Sequence, residues 1–361
     1  MAKTLVPSGA AAPSEDAIVS KPNAAPVVGQ AGQTRGSDFA ELSREIKLAG
    51  LLDRRRGHYL VRIAVNTAVF AAGCAAFVLL GDSWWQLAVA ALFGVLFTQL
   101  AFVGHDAGHR QIFRTKRAND VTGFAHSLVV GLSYGWWVGK HSKHHANPNH
   151  EDHDPDVDIK ALSFSLGQSS TKRGFLRMMA RYQAFLFFPL LLLEGLSLHA
   201  SGVRAVVRGD VRQRALEAVL IGVHILGYLA AVFLVMSPVK AVVFIAVHQG
   251  LFGLYMGCSF APNHKGMPML SAADELDFLR KQVLTSRNVR GGWFVDFLLG
   301  GLNYQIEHHL FPSMPRPSLR RAQLLVRDFC AARTISYQES SLVSSYAQVL
   351  RHLHAVGAPL R

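Results

Sequence analysis

Cysteine is scarce in this chain, with three among 361 residues. Cys74 and Cys258 lie inside long apolar blocks and Cys330 lies near the end. The odd count and scattered spacing exclude a disulfide framework, and no Cys-x-x-Cys pair is present. Charge is also sparse, at 17% of residues. No internal repeat is visible, and no second domain is expected. Residues 1–36, rich in Ala, Pro, Ser and Gly, lack the apolar h-region of a signal peptide. They read as a disordered tail on the cytoplasmic side, leaving 37–361 as one domain. A nucleic-acid motif is missing as well. The formal charge of +13 points to nucleic acid in a soluble protein. Here the Lys and Arg residues sit in loops flanking apolar blocks, which is the membrane pattern. They suit an anionic leaflet or an anionic head group, and nucleic acid is not expected as a partner.

Half of the chain is hydrophobic, and the apolar residues come in long blocks. Residues 59–80, 84–104, 215–236 and 241–260 are each about 20 residues long with almost no charge, enough to cross a bilayer as a helix. The expected fold is therefore an all-α integral membrane protein with four spans. Arg54, Arg55 and Arg56 precede the first span and place the N-terminus inside. Arg110, Arg114, Lys116 and Arg117 follow the second span, in agreement. A fifth apolar stretch, 182–199, contains Glu194 and precedes Arg204, Arg208, Arg212 and Arg214. With cytoplasmic flanks on both sides it reads as an interfacial or re-entrant helix. The Gly-rich stretch 121–138 also reads as membrane-hugging. Ser37 begins a helix to about Leu52 whose apolar face is Phe39, Leu42, Ile46 and Ala49, placed on the membrane surface or on the domain. Both termini are expected in the cytoplasm, on a multi-pass protein of the inner (plasma) membrane.

The chemistry lies in the histidines. There are 17, and eight fall into four clusters. His105 and His109 are spaced i, i+4 and share a helix face. In His141-Ser142-Lys143-His144-His145, His141 shares a face with His144 or His145, while the adjacent pair splays in two directions, as ligands shared by two neighbouring metals would. Gln305-Ile306-Glu307-His308-His309 repeats that spacing with Gln in the first place. His264, in Pro262-Asn263-His264, follows the fourth span. All four clusters fall on one side of the membrane in a topology drawn without them; had 182–199 crossed, the third would face the other compartment. Eight imidazoles are too many for one zinc and suit two five- or six-coordinate ions. Imidazole accepts iron, copper, zinc or nickel, so ligand type leaves the metal open. No Glu-x-x-His motif of the soluble di-iron bundles is present. His150 and His153 fall in the acidic run 151–158 and read as solvated. His224 and His248 lie too deep in the third and fourth spans for the metals, and a hydrogen bond between them is expected. His58, His126, His199, His352 and His354 suggest no partner.

The ordered set H-x-x-x-H, H-x-x-H-H and Q-x-x-H-H, with this span pattern, resembles the membrane fatty-acid desaturase family. The longer strings carry the match: His105-Asp106-Ala107-Gly108-His109; His144-His145 followed by Asn147-Pro148-Asn149 and Asp154-Pro155-Asp156; and Asn303-Tyr304-Gln305-Ile306-Glu307-His308-His309-Leu310-Phe311-Pro312. The resemblance covers about 38–350 and is to the bacterial acyl-CoA or acyl-lipid branch. It implies two iron ions, dioxygen as co-substrate and a long-chain fatty-acyl substrate, with acyl-CoA favoured. The implied ligands are His105, His109, His141, His144, His145, His264, His308 and His309. Asp106, Asp154, Asp156 and Glu307 are candidates to accept hydrogen bonds from ligand N–H groups, and Gln305 and Asn263 complete the outer set. Gln305 stands where many desaturases acting at carbon nine carry His. It is usual in those that act between an existing double bond and the carboxyl end. The His-Pro-Gly-Gly motif of a fused cytochrome b5 domain is missing, so electrons are expected from a separate ferredoxin and its oxidoreductase, or from a cytochrome b5 type protein. A hydroxylase or ketolase acting on an alkane, a carotenoid or a sphingolipid would use the same scaffold. A metal transporter is a different class, but transport sites lie near the bilayer midplane, and these clusters lie outside the spans.

Overall fold

In the computed structural model, which describes residues 37–361, the four apolar blocks are four long helices. They are α2 (Arg56–Leu80), α3 (Gln86–Gly108), α10 (Arg214–Val235) and α11 (Pro238–His264). The remaining elements in chain order are α1 (Asp38–Leu48), α4 (Lys116–Val130), α5 (Tyr134–Ala146), α6 (Leu166–Thr171), α7 (Gly174–Arg181), α8 (Gln183–Leu191) and α9 (Glu194–Arg208). After α11 come α12 (Phe278–Leu284), β1 (Asn288–Arg290), α13 (Trp293–Leu298), α14 (Gln305–Leu310), α15 (Arg316–Ala332), β2 (Glu339–Ser341) and α16 (Leu342–Gly357). The two strands pair in parallel, Val289 opposite Ser340. The tail expected at 1–36 lies outside the described residues.

Helix α3 is the central span. It buries 61% of its apolar window, against 11% for α10, and packs against α2, α4 and α11. Phe93, Phe97, Phe244 and Phe252 fill the space between α3 and α11. On α10 the apolar residues face outward instead: Leu216, Val219, Val223 and Leu226 form an exposed stripe at helical spacing, as a lipid-facing surface requires.

The stretch 182–199 is not one straight helix. Helices α8 and α9 meet at a bend of 71°. The kink rests on α11 through glycine: a Cβ at Gly253 would lie 2.5 Å from Gly195 N, so only a small residue allows this approach. Helix α4 ends among the spans, where its last carbonyls need partners. His224 Nδ1 donates to Leu128 O at 3.0 Å and His199 Nε2 to Val130 O at 3.1 Å. The expected bond between His224 and His248 is therefore absent; His248 Nδ1 meets the Tyr228 hydroxyl at 2.9 Å.

A second core sits beyond the spans. Leu42 and Ile46 of α1 are fully buried against Leu279, Ile306, Leu310 and Val326, and Phe39 packs edge-on to Phe278. Helix α1 thus closes a helical cap, and its amphipathic face is spent on protein.

Candidate metal centre

Four helix ends converge where the spans meet the cap. His105 lies in the last turn of α3 and His109 is its C-terminal cap. His141, His144 and His145 occupy the last turns of α5. His264 is the final residue of α11, and His308 and His309 lie on the short helix α14. Gly301 sets α14 in place: its φ is +81°, and a Cβ there would lie 2.5 Å from Arg316 Cγ.

The eight rings form two adjacent groups. Ligand atoms of His105, His109, His141 and His308 lie within 4.8 Å of one another, and so do those of His144, His264 and His309. His145 lies between the groups. Its Nε2 is 3.1 Å from that of His141, and its ring stacks on His309 at 4.2 Å. Other Nε2 pairs approach equally: His105 with His141 at 3.2 Å and His264 with His309 at 3.1 Å. Two nitrogens on one ion at a metal–nitrogen distance of about 2.1 Å stand roughly 3.0–3.4 Å apart. The Nε2 atoms of His109 and His308 are buried with no hydrogen-bond partner, which a native interior rarely tolerates. The residues present therefore fit a pair of metal ions.

The outward-facing nitrogens are held. His105 Nδ1 donates to Asp106 Oδ1 at 3.1 Å, and Arg316 Nη2 in turn contacts Asp106 Oδ2 at 2.6 Å. His144 Nδ1 donates to Asp154 at 3.0 Å, with Asp156 Oδ2 at 3.5 Å. His264 Nδ1 donates to the Thr285 carbonyl at 3.0 Å, and His309 Nδ1 to Gln282 Oε1 at 2.9 Å. A partner on Nδ1 fixes the tautomer and leaves Nε2 as the ligand atom. Burial, reinforced by the neighbouring rings, holds His109, His141, His145, His308 and His309 well below the usual imidazole range. The rings are thus neutral, the form that metals bind.

Gln305 ends inside the second group, its amide nitrogen 2.9 Å from His264 Nε2, and Asn263 Nδ2 donates to Gln305 Oε1 at 3.3 Å. Glu307 departs from the expectation. Its carboxylate accepts from Asn288 Nδ2 at 2.8 Å and from the Tyr337 hydroxyl at 2.6 Å, on the side of α14 away from the rings. Burial lifts its pKa to about 7. The acidic run 151–158 is exposed at Asp152, His153 and Asp158 but buried at Asp154 and Val157, and His150, expected to be solvated, is buried. Asn149 N donates to Asp154 Oδ2 at 2.8 Å while Asn149 Nδ2 reaches the His264 carbonyl at 3.0 Å. His153 is exposed, as expected. Gln282, Thr285 and Arg316 were not singled out in the sequence; they lie in no histidine motif.

A family model described as "Fatty acid desaturase" matches residues 82–341. The chain belongs to the fatty acid desaturase family. Its relatives include an acyl-lipid (9-3)-desaturase of the moss Physcomitrium patens, 31% identical over 88% of this chain and 62% of that protein. The Delta(6)-fatty-acid desaturase fat-3 of Caenorhabditis elegans is 29% identical over 87% of this chain and 74% of that protein. A Delta 8-(E)-sphingolipid desaturase of Emericella nidulans is 28% identical over 90% of this chain and 62% of that protein. The chain thus spans about three fifths of the moss and fungal relatives.

Proposed function

We propose that this chain uses dioxygen to introduce a double bond into a long-chain fatty-acyl substrate at a pair of iron ions. His105, His109, His141 and His308 would hold one ion and His144, His264 and His309 the other, with the His145 ring between the two groups. The observation that carries this reading is the pairing of two clusters of buried ring nitrogens with an apolar cavity. The cavity, of about 400 Å³, is lined by His105, His141, His144 and His264 together with apolar residues that include Phe102, Val130, Leu191 and Phe260. Its size and lining suit an alkyl chain.

When bound, the iron pair supplies the oxidising power that an unactivated methylene C–H demands. The overall change removes one hydrogen from each of two adjacent carbons. Dioxygen leaves as two waters, with two electrons and two protons supplied from outside. The chain's own residues do the rest. Asp106, Asp154, Gln282 and the Thr285 carbonyl orient the imidazoles. Trp137, stacked on His141 at 4.6 Å, and the aliphatic lining exclude water. Electrons come from a donor of the ferredoxin type with its oxidoreductase, or of the cytochrome b5 type. Gln305, together with the relatives' Delta(6) and Delta 8 names, supports a double bond toward the carboxyl end. Acyl-CoA is the favoured carrier, and the moss relative's acyl-lipid name supplies the alternative. Residues 37–361 form the membrane domain, with the site and both termini on the cytoplasmic side of the inner membrane. The basic flanks of the spans support that orientation.

The test is fatty-acid methyl-ester analysis of a host expressing the chain with a ferredoxin and a reductase. A new double bond is expected, lost when His308 is changed to Ala. A hydroxylated product, or no change in the lipids, would overturn the reading. Orientation is checked by placing a cysteine at Ser201 in sealed cells. Labelling by an impermeant external reagent would reverse the assigned topology.

A further inference from the structure

The cavity is mostly apolar away from the histidines, and its charged residues are few. Among the described residues that line it, four are charged: Lys140, Asp156, Glu194 and Lys265. Lys140 precedes His141 and pairs with Asp156 Oδ1. Lys265 follows His264, donates to the Asp156 carbonyl at 2.9 Å and covers the Phe164 ring at 4.3 Å. Asp156 Oδ2 in turn stands 3.5 Å from His144 Nδ1. The polar patch therefore adjoins the second histidine group.

Lys140 keeps 32% of its side-chain surface free, and it borders the cavity. An ammonium has three N–H donors, and Asp156 engages one. Donors left facing an apolar cavity are costly until an acceptor takes them. Two cations face two carboxylates, so the patch has no net charge with which to select an anion. It suits a neutral acceptor, and every fatty-acyl ester or thioester carries one: the acyl carbonyl.

We propose that Lys140 donates a hydrogen bond to the acyl carbonyl of the substrate and so fixes which carbons lie against the histidines, counted from the carboxyl end. The proposal rests on the desaturase reading above. Lys140 and His144 share Asp156, which keeps the ammonium within about 8 Å of His144 Nδ1. An extended chain advances about 1.2 Å per bond. A carbonyl held at Lys140 then places carbons up to about seven bonds along the chain beside His144.

The experiment compares two carriers with their carbonyl-free twins: acyl-CoA with the alkyl thioether of CoA, and phosphatidylcholine with its ether-linked analogue. Each is given to wild type, Lys140→Met and Lys140→Arg, and kcat/KM, double-bond position and iron content are read. Wild type should favour one carbonyl form over its twin by about tenfold to a hundredfold, with a single double-bond position. The pair that shows the preference identifies the carrier. Lys140→Met should keep its iron, treat the twins alike and scatter the double bond; Lys140→Arg should restore the preference with the position displaced. A Lys140→Met protein that keeps the preference and the position would overturn the proposal. So would loss of iron in that variant, since the lysine would then act only through Asp156 and His144. An Arg variant with the wild-type position would also overturn it. If wild type forms no double bond from any of the four substrates, the desaturase reading itself falls.

Discussion

Two sets of buried histidines lie in this molecule, and they differ in where the second ring nitrogen goes. In the metal centre, His105, His144, His264 and His309 spend Nδ1 on a carboxylate, an amide or a carbonyl, and turn Nε2 toward other rings. Among the spans, the half-buried His199 has both ring nitrogens beside carbonyls, Gly195 O at 2.6 Å and Val130 O at 3.1 Å, and its single N–H donates to Val130 O. His126 and His224 give Nδ1 to Thr122 O and Leu128 O. Burial alone therefore does not mark a ligand. Convergence of free nitrogens does, because a neutral imidazole has one acceptor nitrogen, and several acceptors aimed at one point repel unless a cation sits there.

That contrast can be broken in four ways. The largest effect is expected from His308→Ala and from His264→Ala. Each should reduce turnover below about 1% of wild type and lower iron content while the chain still inserts, and the double variant should add little because ligands act as a unit. Full iron with normal turnover in His264→Ala would return that residue to a structural role. Next comes Asp154→Asn, which leaves a weaker acceptor on His144 Nδ1; a loss of 10- to 100-fold in metal affinity or turnover is expected. Wild-type values would mean that the carboxylate orients nothing.

Third, Glu307 sits behind α14 with a pKa lifted from 4.5 to about 7 by burial. The folded chain thus holds this proton more tightly than the unfolded chain. Its contribution, on the order of 3 kcal/mol, is complete below about pH 4.5 and is lost as pH rises through 7. Glu307→Gln keeps an acceptor for Asn288 and Tyr337 and should remove that part of the slope when melting is followed from pH 5 to 8. An unchanged slope would mean that Glu307 titrates elsewhere. The smallest effect on chemistry belongs to His224→Phe. Leu128 O loses its donor, which costs about 1–3 kcal/mol of stability, while iron stays and turnover remains within about twofold. Loss of iron there would erase the distinction between the two sets.

Much of this was legible in the sequence, for physical reasons. A span needs an uninterrupted apolar run, so α2, α3, α10 and α11 follow the four blocks to within a few residues. Ligands on one helix turn must recur at i, i+3 or i+4, so the boxes announced themselves. The supporting residues did not. Arg316 meets Asp106 from 210 positions away, Gln282 meets His309 across 27, and Thr285 contributes only a backbone carbonyl. Such contacts exist only once the cap has folded onto the spans, and no local spacing encodes them. Glu307 differs from the expectation for a related reason: its partners, Asn288 and Tyr337, lie 19 and 30 positions away and reach it only in the folded cap. His150 differs because its acidic neighbours suggest exposure, whereas it is buried beside Asn149; Asp154 accepts from His144 as expected.

The central claim is that the two groups of rings hold two iron ions. It is tested most directly by counting iron per chain in an active, fully loaded preparation. The account predicts two. One per chain at full activity would contradict it.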